Sequence, residues 1–113
     1  MPTSFQDGVR PIEYAEFLRL VESSGDSPPI EQTQAWYRFE EVMGDREFLG
    51  FFEVVLRGEP TAVLALQRVD YHGTKFLWSK NGPLWLVEPT LEVQTETVEL
   101  LVAWSKHTAP YTP

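Results

Sequence analysis

The first apolar pattern along the chain has the spacing of a helix. Pro11 fits the first turn of a helix, because proline lacks the backbone N–H group that such a position leaves unpaired. Apolar side chains then recur every three to four positions, and the polar run 23–29 ends the pattern. The members of this stripe are Ile12, Ala15, Phe17, Leu18 and Val21. We therefore predict an amphipathic helix that runs to Val21 and packs on a core.

A second, shorter helix is predicted over residues 33–43. Thr33 is a good N-cap, and Gly44 is a typical stop signal at the other end. The face expected to point inwards holds Trp36, Met43 and either Phe39 or, opposite it, Glu40. The carboxylates of Glu40, Glu41, Asp45 and Glu47 cluster in sequence, and we expect them to form a solvated face rather than an acid–base pair.

After the second helix the pattern takes the two-residue period of β-strands. Residues 48–56 are rich in aromatic and β-branched side chains, and residues 61–69 and 75–79 continue the pattern. Short links that contain glycine, at 57–60 and 70–74, separate these segments, and links of this length join antiparallel neighbours. We therefore predict a three-stranded antiparallel meander. Apolar residues occur on both of its faces, so helices or a partner are expected to cover both.

A last helix is predicted after an apolar tail at residues 84–87. Thr90 is a good N-cap, and acidic residues lie early in the helix while Lys106 and His107 lie late, as the helix dipole prefers. The stripe expected to face the core consists of Leu91, Thr95, Val98, Leu101, Val102 and Ser105. The resulting order of helix, helix, three strands and helix belongs to the α+β class. The outer strand of the meander would keep an unpaired edge.

Composition narrows the class of protein. The chain has 113 residues, of which 42% are hydrophobic and 13% aromatic, as expected for one globular domain. It has neither an apolar run long enough to span a membrane nor the features of a signal peptide at its start, so we expect a cytoplasmic protein. The absence of cysteine excludes disulfides and thiolate metal sites. The net charge of −8 argues against binding nucleic acid or anionic lipid.

Few residues offer chemistry of their own. His72 lies in a turn and His107 near a helix end, and two isolated histidines predict neither a metal site nor a catalytic base. A glycine-rich phosphate loop is missing, so we predict no cofactor and leave the catalytic residues unassigned. Trp78 and Trp85 bracket the sequence Lys80-Asn81-Gly82-Pro83. Such a cluster of aromatic residues either lines a groove for a peptide or sugar or belongs to the core.

Several motifs in this order resemble the start of one known family. Gln32-Thr33-x-x-Trp36 begins a helix, a hairpin follows, and an aromatic strand leads to Gly82-Pro83 before a further helix. This order is similar to that of the FemABX family, bacterial aminoacyltransferases that build the interpeptide bridges of peptidoglycan. The resemblance covers residues 12–113.

The resemblance implies a partial GNAT-like (acyl-CoA N-acyltransferase-like) fold, with residues 1–113 forming a single truncated domain. Family members transfer an amino acid from aminoacyl-tRNA to the stem peptide of a UDP- or lipid-linked muropeptide, the peptidoglycan precursor. They contain two such domains and are several times longer than this chain. The chain is thus expected to contribute only the binding of the precursor. Aminoacyl-tRNA would be held by a downstream region, and the chain by itself is not expected to be active.

The resemblance also implies which residues bind the precursor. Arg38 matches a basic residue, shortly after the helix residue Trp36, that holds the phosphate and sugar portion of the precursor. A guanidinium suits this role because it forks onto two phosphate oxygens, although a surface ion pair with Glu31 or Glu41 is an equal alternative. The segment before Gly-Pro lines the same groove, which corresponds to Trp78, Lys80 and Asn81, and Lys80 is equally interpretable as a simple turn residue. Where the family has Arg-x-Asp-Pro this chain has Pro110-Tyr111-Thr112-Pro113, so the match weakens there.

A different class of function also fits the pattern. A non-catalytic association module would keep the same partial fold and cover its exposed strand edge by pairing with a second copy of the chain. Such a homodimer would need neither the precursor nor aminoacyl-tRNA.

Overall fold

The computed structural model describes residues 8–25, 27–29, 32–43, 46–79 and 82–108. Its elements, in chain order, are strand β1 (Gly8–Ile12), helix α1 (Tyr14–Ser23), helix α2 (Gln34–Glu40) with a short 3-10 helix (Glu41–Met43), strands β2 (Arg46–Leu56), β3 (Glu59–Tyr71), β4 (Thr74–Trp78) and β5 (Leu84–Trp85), and helix α3 (Leu91–Thr108). The predicted α+β class is confirmed. None of the helices in these ranges is long and apolar enough to span a membrane.

All five strands form one antiparallel sheet in the order β1-β2-β3-β4, with β5 pairing to β3. Strands β2, β3 and β4 are the predicted meander. Ala62 of β3 pairs with Val54 of β2 on one side and with Trp85 of β5 on the other. Strand β5 therefore lies on the same edge of β3 as β4. Residues 84–85 were predicted to be an apolar tail, and their pairing with β3 shows them to be a strand instead.

Two-residue turns close both hairpins of the meander. Arg57 and Gly58 have φ angles of 53° and 75°, and His72 and Gly73 have φ angles of 53° and 83°. Positive φ at both central positions matches the right-handed twist of the flanking strands. Arg57 also donates to Glu92 of α3 at 2.9 Å, so the first hairpin is tied to the start of the last helix.

The prediction that the first helix begins near Pro11 is wrong. Residues 8–12 form strand β1, which pairs with β2 from Gly8–Val55 to Ile12–Phe51. Proline is compatible with such an edge strand, because an N–H group on the outer side has no ladder partner. The helix starts only at Tyr14 and buries Phe17, Leu20 and Val21, while Ala15 is exposed.

The inward face of α2 agrees only in part with the expected one, because Glu40, one of the two alternatives, is buried, but so is Tyr37, which was not expected there. Thr33 is the N-cap of α2 as predicted, accepting a hydrogen bond from the Trp36 backbone N–H at 3.3 Å. The buried residues are Tyr37 and Glu40, whereas Phe39 is 60% exposed. Glu40 is therefore not part of a solvated carboxylate face. The predicted stop residue, Gly44, lies outside the described residues.

Successive positions on β2 and β3 point to opposite faces of the sheet, and each face has its own helices. One core combines residues of α1 and α2 with one set of strand positions, represented by Phe51, Val63 and Ala65. The other core combines Leu100, Leu101 and Trp104 of α3 with the alternate set, which consists of Phe52, Val54, Ala62, Leu64 and Leu66. Helices cover both faces, as predicted from the apolar residues on both sides.

The predicted inward stripe of α3 is only partly correct. Thr90 is the N-cap, accepting from the Val93 N–H at 3.2 Å. The helix nevertheless buries Thr97 and packs Leu100, Leu101 and Trp104 on the sheet. The predicted residues Leu91, Val98 and Val102 are exposed. The helix carries more apolar residues than its contact with the sheet uses, and spacing alone did not show which set would be buried.

The inward face of α2 can be tested with two matched substitutions. Tyr37→Ala should lower the free energy of unfolding by about 3–5 kcal/mol, because it removes a fully buried ring that stacks on Phe48 at 4.4 Å. Phe39→Ala, in the same helix, should change it by less than about 1 kcal/mol, since that ring is mostly in solvent. Urea denaturation measures both. Equal losses for the two variants would contradict this orientation of α2.

Candidate functional site

The edge of the sheet is interrupted beside β3. Strand β4 ends with Trp78 opposite Gln67, and β5 begins with Leu84 opposite Val63. Residues 64–66 of β3 therefore have no strand partner on this side within the described part of the chain. We call this interruption the edge break. Backbone N–H groups along it need other acceptors, because an unpaired buried donor is costly.

The side chain of Gln32 fills the edge break. Its Oε1 atom accepts a hydrogen bond from the backbone N–H of Ala65 at 2.9 Å. Its Nε2 atom donates to the hydroxyl oxygen of Ser79 at 3.3 Å. Gln32 is fully buried, although it lies just before α2 and far from both partners in sequence. A single amide side chain thus replaces the missing strand contact and joins α2 to the end of β4.

Gly82 completes the edge break. Its backbone N–H donates to the carbonyl oxygen of Ser79 at 3.3 Å, and the peptide bond to Pro83 is cis. A Cβ atom on residue 82 would overlap the Ser79 hydroxyl oxygen and lie 3.2–3.3 Å from the amide atoms of Gln32. Only glycine therefore allows the chain to pass this close to Gln32. The residues Gln32 and Gly82-Pro83, 50 positions apart, are in direct proximity.

A cavity of about 360 Å³ lies between the edge break and α3. Leu64 and Leu66 of β3, Leu77 and Trp78 of β4, and Pro83 form its sheet side. The lining is mainly apolar at these positions.

Helix α3 forms the opposite wall of this cavity with Val98, Leu101 and Val102. The polar groups among the described lining side chains are the hydroxyls of Ser79 and Ser105 and the indole N–H of Trp78. The residues of α3 that were predicted to face the core and are exposed instead, Val98 and Val102, thus border this cavity.

The residues predicted to bind the precursor are not all in one place. Trp78 lines the cavity and is 46% exposed. Trp36 and Arg38 lie on α2, which packs on the other face of the sheet through Tyr37. Lys80 and Asn81 lie outside the described residues. Trp85, the other tryptophan of the predicted aromatic cluster, packs against the core on the α3 side.

Arg38 is exposed and forms no ion pair with any described residue. The alternative ion pair with Glu41 is therefore not seen, and Glu31 lies outside the described ranges. Trp36 packs its ring against Phe39 at 5.5 Å, and its indole N–H is buried without a hydrogen-bond partner in the described part of the chain. The side chain of Arg38 is thus exposed to solvent.

A buried polar network that the sequence did not indicate lies under α2. The carboxylate of Glu40 accepts from the Arg46 guanidinium at 2.7 Å and from the Gln67 amide at 3.1 Å. Both Glu40 and Gln67 are buried, so these hydrogen bonds replace lost hydration. The network holds the end of α2 to the start of β2. Its role is best explained as positioning this helix.

Sequence reasoning also missed Gln32 and Ser79 as partners in one structure. Gln32 was noted only as part of a motif, and Ser79 only as the last residue of the predicted strand 75–79. Nothing in the local pattern links them, because the contact joins residues 47 positions apart. His72 is exposed in its hairpin turn, as expected for a solvated turn residue. The described residues contain no group of three or more His, Asp or Glu side chains placed to hold a metal ion.

Comparison with protein-family models, with curated protein sequences and with solved structures finds no match to this chain.

Because Gln32 fills the edge break, its substitution should lower the stability of the fold. Gln32→Leu should lower the free energy of unfolding by about 1–3 kcal/mol, because leucine of similar size leaves the buried Ala65 N–H without an acceptor. Amide hydrogen exchange at Ala65 should accelerate in the same variant. Gln34→Leu, the same change two residues later at the first position of α2, is the control and should leave both measurements nearly unchanged. Unchanged exchange at Ala65 in Gln32→Leu would show that the hydrogen bond contributes little.

Proposed function

We propose that this chain is the N-terminal, precursor-binding portion of a FemABX-type aminoacyltransferase with a partial GNAT-like fold. In such an enzyme the amine of the stem peptide attacks the aminoacyl ester of tRNA directly. Positioning of the two substrates then supplies much of the catalysis, and no covalent nucleophile is required. This chain would hold the muropeptide, while aminoacyl-tRNA would bind to a region beyond it.

One observation carries the proposal: the separate motifs behind the resemblance meet in space. Gln32, from the motif at the start of α2, lies against Gly82 of the Gly-Pro motif. Both contact Ser79, which lines the cavity next to Trp78. The two motifs are thus parts of one structural feature, as motifs of a single family would be. Their contact therefore supports a common structural unit behind the similarity.

Arg38 lies on the α2 side of the sheet and Trp78 on the α3 side, so a single ligand would have to extend past the edge of the sheet to contact both. Arg38 lies four residues after the start of α2, about 6 Å along the helix axis, and its guanidinium has no acidic partner among the described residues. Trp78 lies on the other side of the edge break, in the cavity. The phosphate and sugar portion would bind at Arg38, and a less polar portion would reach the cavity across the edge break.

Titration with a UDP-linked muropeptide tests this proposal. Arg38→Ala should weaken binding by about 1–3 kcal/mol, because a charge-assisted contact with phosphate is lost. Arg19→Ala, which removes an exposed arginine of α1 that is paired with Glu16, is the control for the change in net charge and should bind as the wild type does. Isothermal titration calorimetry measures all three proteins. Absence of binding by the wild type would reject the proposed function, and an unaffected Arg38→Ala variant would reject the role of Arg38.

A second candidate function, an association module, is favoured by the open edge of the sheet. Within the described residues β4 pairs only with β3, so the outer edge of β4 carries unpaired backbone groups. Edge strand β1, by contrast, contains Pro11, which lacks a donor and makes that edge a poorer template for pairing. A second copy would therefore pair along β4.

The mass of the protein in solution separates the two candidates. An association module should sediment as a dimer of about twice 13.0 kDa at micromolar concentration. Analytical ultracentrifugation over a hundredfold concentration range provides the measurement. A monomer throughout would reject the association module.

A further inference from the structure

We propose that the cavity between the edge break and α3 binds a neutral apolar group that carries one hydrogen-bond acceptor, with the Ser79 hydroxyl as the donor. An apolar residue of a peptide, with its carbonyl oxygen as the acceptor, has this chemistry. The identification of this ligand with part of the stem peptide rests on the proposed function. The chemical class of the ligand is inferred from the residues that line the cavity.

The charge of the lining selects a neutral ligand. None of the described side chains that line the cavity is titratable. A carboxylate, phosphate or ammonium group placed there would lose hydration without gaining a counter-charge, and this loss is large for an ion. The uncharged side chains of the described lining therefore favour a neutral group in the cavity over the phosphate end of a muropeptide. That end would remain with Arg38.

The two hydroxyl groups of the cavity differ in whether their protons are already used in hydrogen bonds. Ser105 donates to the backbone carbonyl of Val102 at 2.8 Å, so its proton is used within α3. Ser79 accepts from Gln32, and its own proton has no acceptor among the described residues. The hydrogen bond from Gln32 fixes the Ser79 oxygen at the wall of the cavity. Ser79 is thus a positioned donor on a mainly apolar surface.

The size and exposure of the cavity fit a small ligand. Its volume of about 360 Å³ lies near the lower end of the range for small-molecule sites, about 300–1,000 Å³. Trp78, Val98 and Val102 border it and expose about half of their surface, at 46%, 58% and 47%. Exposed apolar side chains grouped around one cavity are typical of a binding surface. A ligand would remove this apolar surface from water, which is a favourable change.

Three probes of equal chain length test the charge argument. Octanamide is neutral, octanoate is anionic and octylammonium is cationic, while their alkyl chains are alike. We expect octanamide to bind at least tenfold more tightly than either ion. Two-dimensional ¹H–¹⁵N NMR titration gives the affinity and the location together, with shifts expected at the amides of Ser79 and Val98 and at the indole N–H of Trp78. Equal binding of all three probes, or shifts confined to other residues, would overturn the proposal.

Variants test the individual contacts. Ser79→Ala should weaken octanamide binding by about 2- to 10-fold, because one neutral hydrogen bond is lost. Val102→Trp should fill the cavity and abolish binding, whereas Leu91→Trp, at an exposed position of the same helix outside the cavity, should leave binding unchanged. Val98→Trp serves as a second cavity-filling variant at a more exposed position if Val102→Trp fails to fold. Undiminished binding by a folded cavity-filling variant would place the probe elsewhere.

The same variants separate this inference from the proposed function. Octanamide binding without muropeptide binding would support the cavity ligand and reject the precursor-binding function. Muropeptide binding that Arg38→Ala weakens but Val102→Trp leaves intact would reject entry of the precursor into the cavity. Dimerisation that Val102→Trp disrupts, together with no octanamide binding, would identify the occupant as a second copy and overturn the proposal.

Discussion

The hydrogen bonds of Gln32 hold together the part of the molecule where the sheet is interrupted. One side chain supplies the acceptor that Ala65 needs and a donor for Ser79, so β3 tolerates three residues without a strand partner on that side. Because the amide is fully buried, neither bond competes with water. The start of α2, the end of β4 and the glycine at position 82 are all fixed relative to this one group.

The edge break also explains why the candidate site has two unlike parts. On the α2 face lie Arg38 and the aromatic pair Trp36 and Phe39, which are suited to a charged or polar ligand group. On the α3 face lies an uncharged cavity with a single available hydroxyl donor, Ser79. Ser79 contacts Gln32 and also lines the cavity, so the edge break borders the cavity through this side chain. The proposed functions assign a charged ligand portion to Arg38 and an uncharged one to the cavity.

The sequence patterns predicted those helices and strands that are stabilised by interactions between residues close in sequence. The meander follows from a two-residue period and glycine-containing links, and the N-caps at Thr33 and Thr90 follow from hydroxyl side chains before helical runs. Strand β1 was missed because only its pairing with β2, 39 to 47 positions away, distinguishes it from the start of a helix. The choice between Phe39 and Glu40 on α2 stayed open because the burial of Glu40 depends on its hydrogen bonds with Arg46, six positions later, and with Gln67 of β3.

The sequence by itself determined the α+β class, the three central strands, the two capped helices and the individual motif residues, because propensity, capping and turn chemistry act over a few positions. The tertiary structure decided that Gln32 and Gly82 lie together, that β5 continues the edge of the sheet, and that Val98 and Val102 border a cavity rather than the core. The first two features depend on which groups, distant in sequence, form hydrogen bonds with the buried donors. The third depends on how many apolar side chains of α3 the sheet can cover, and neither property exists before the chain is packed.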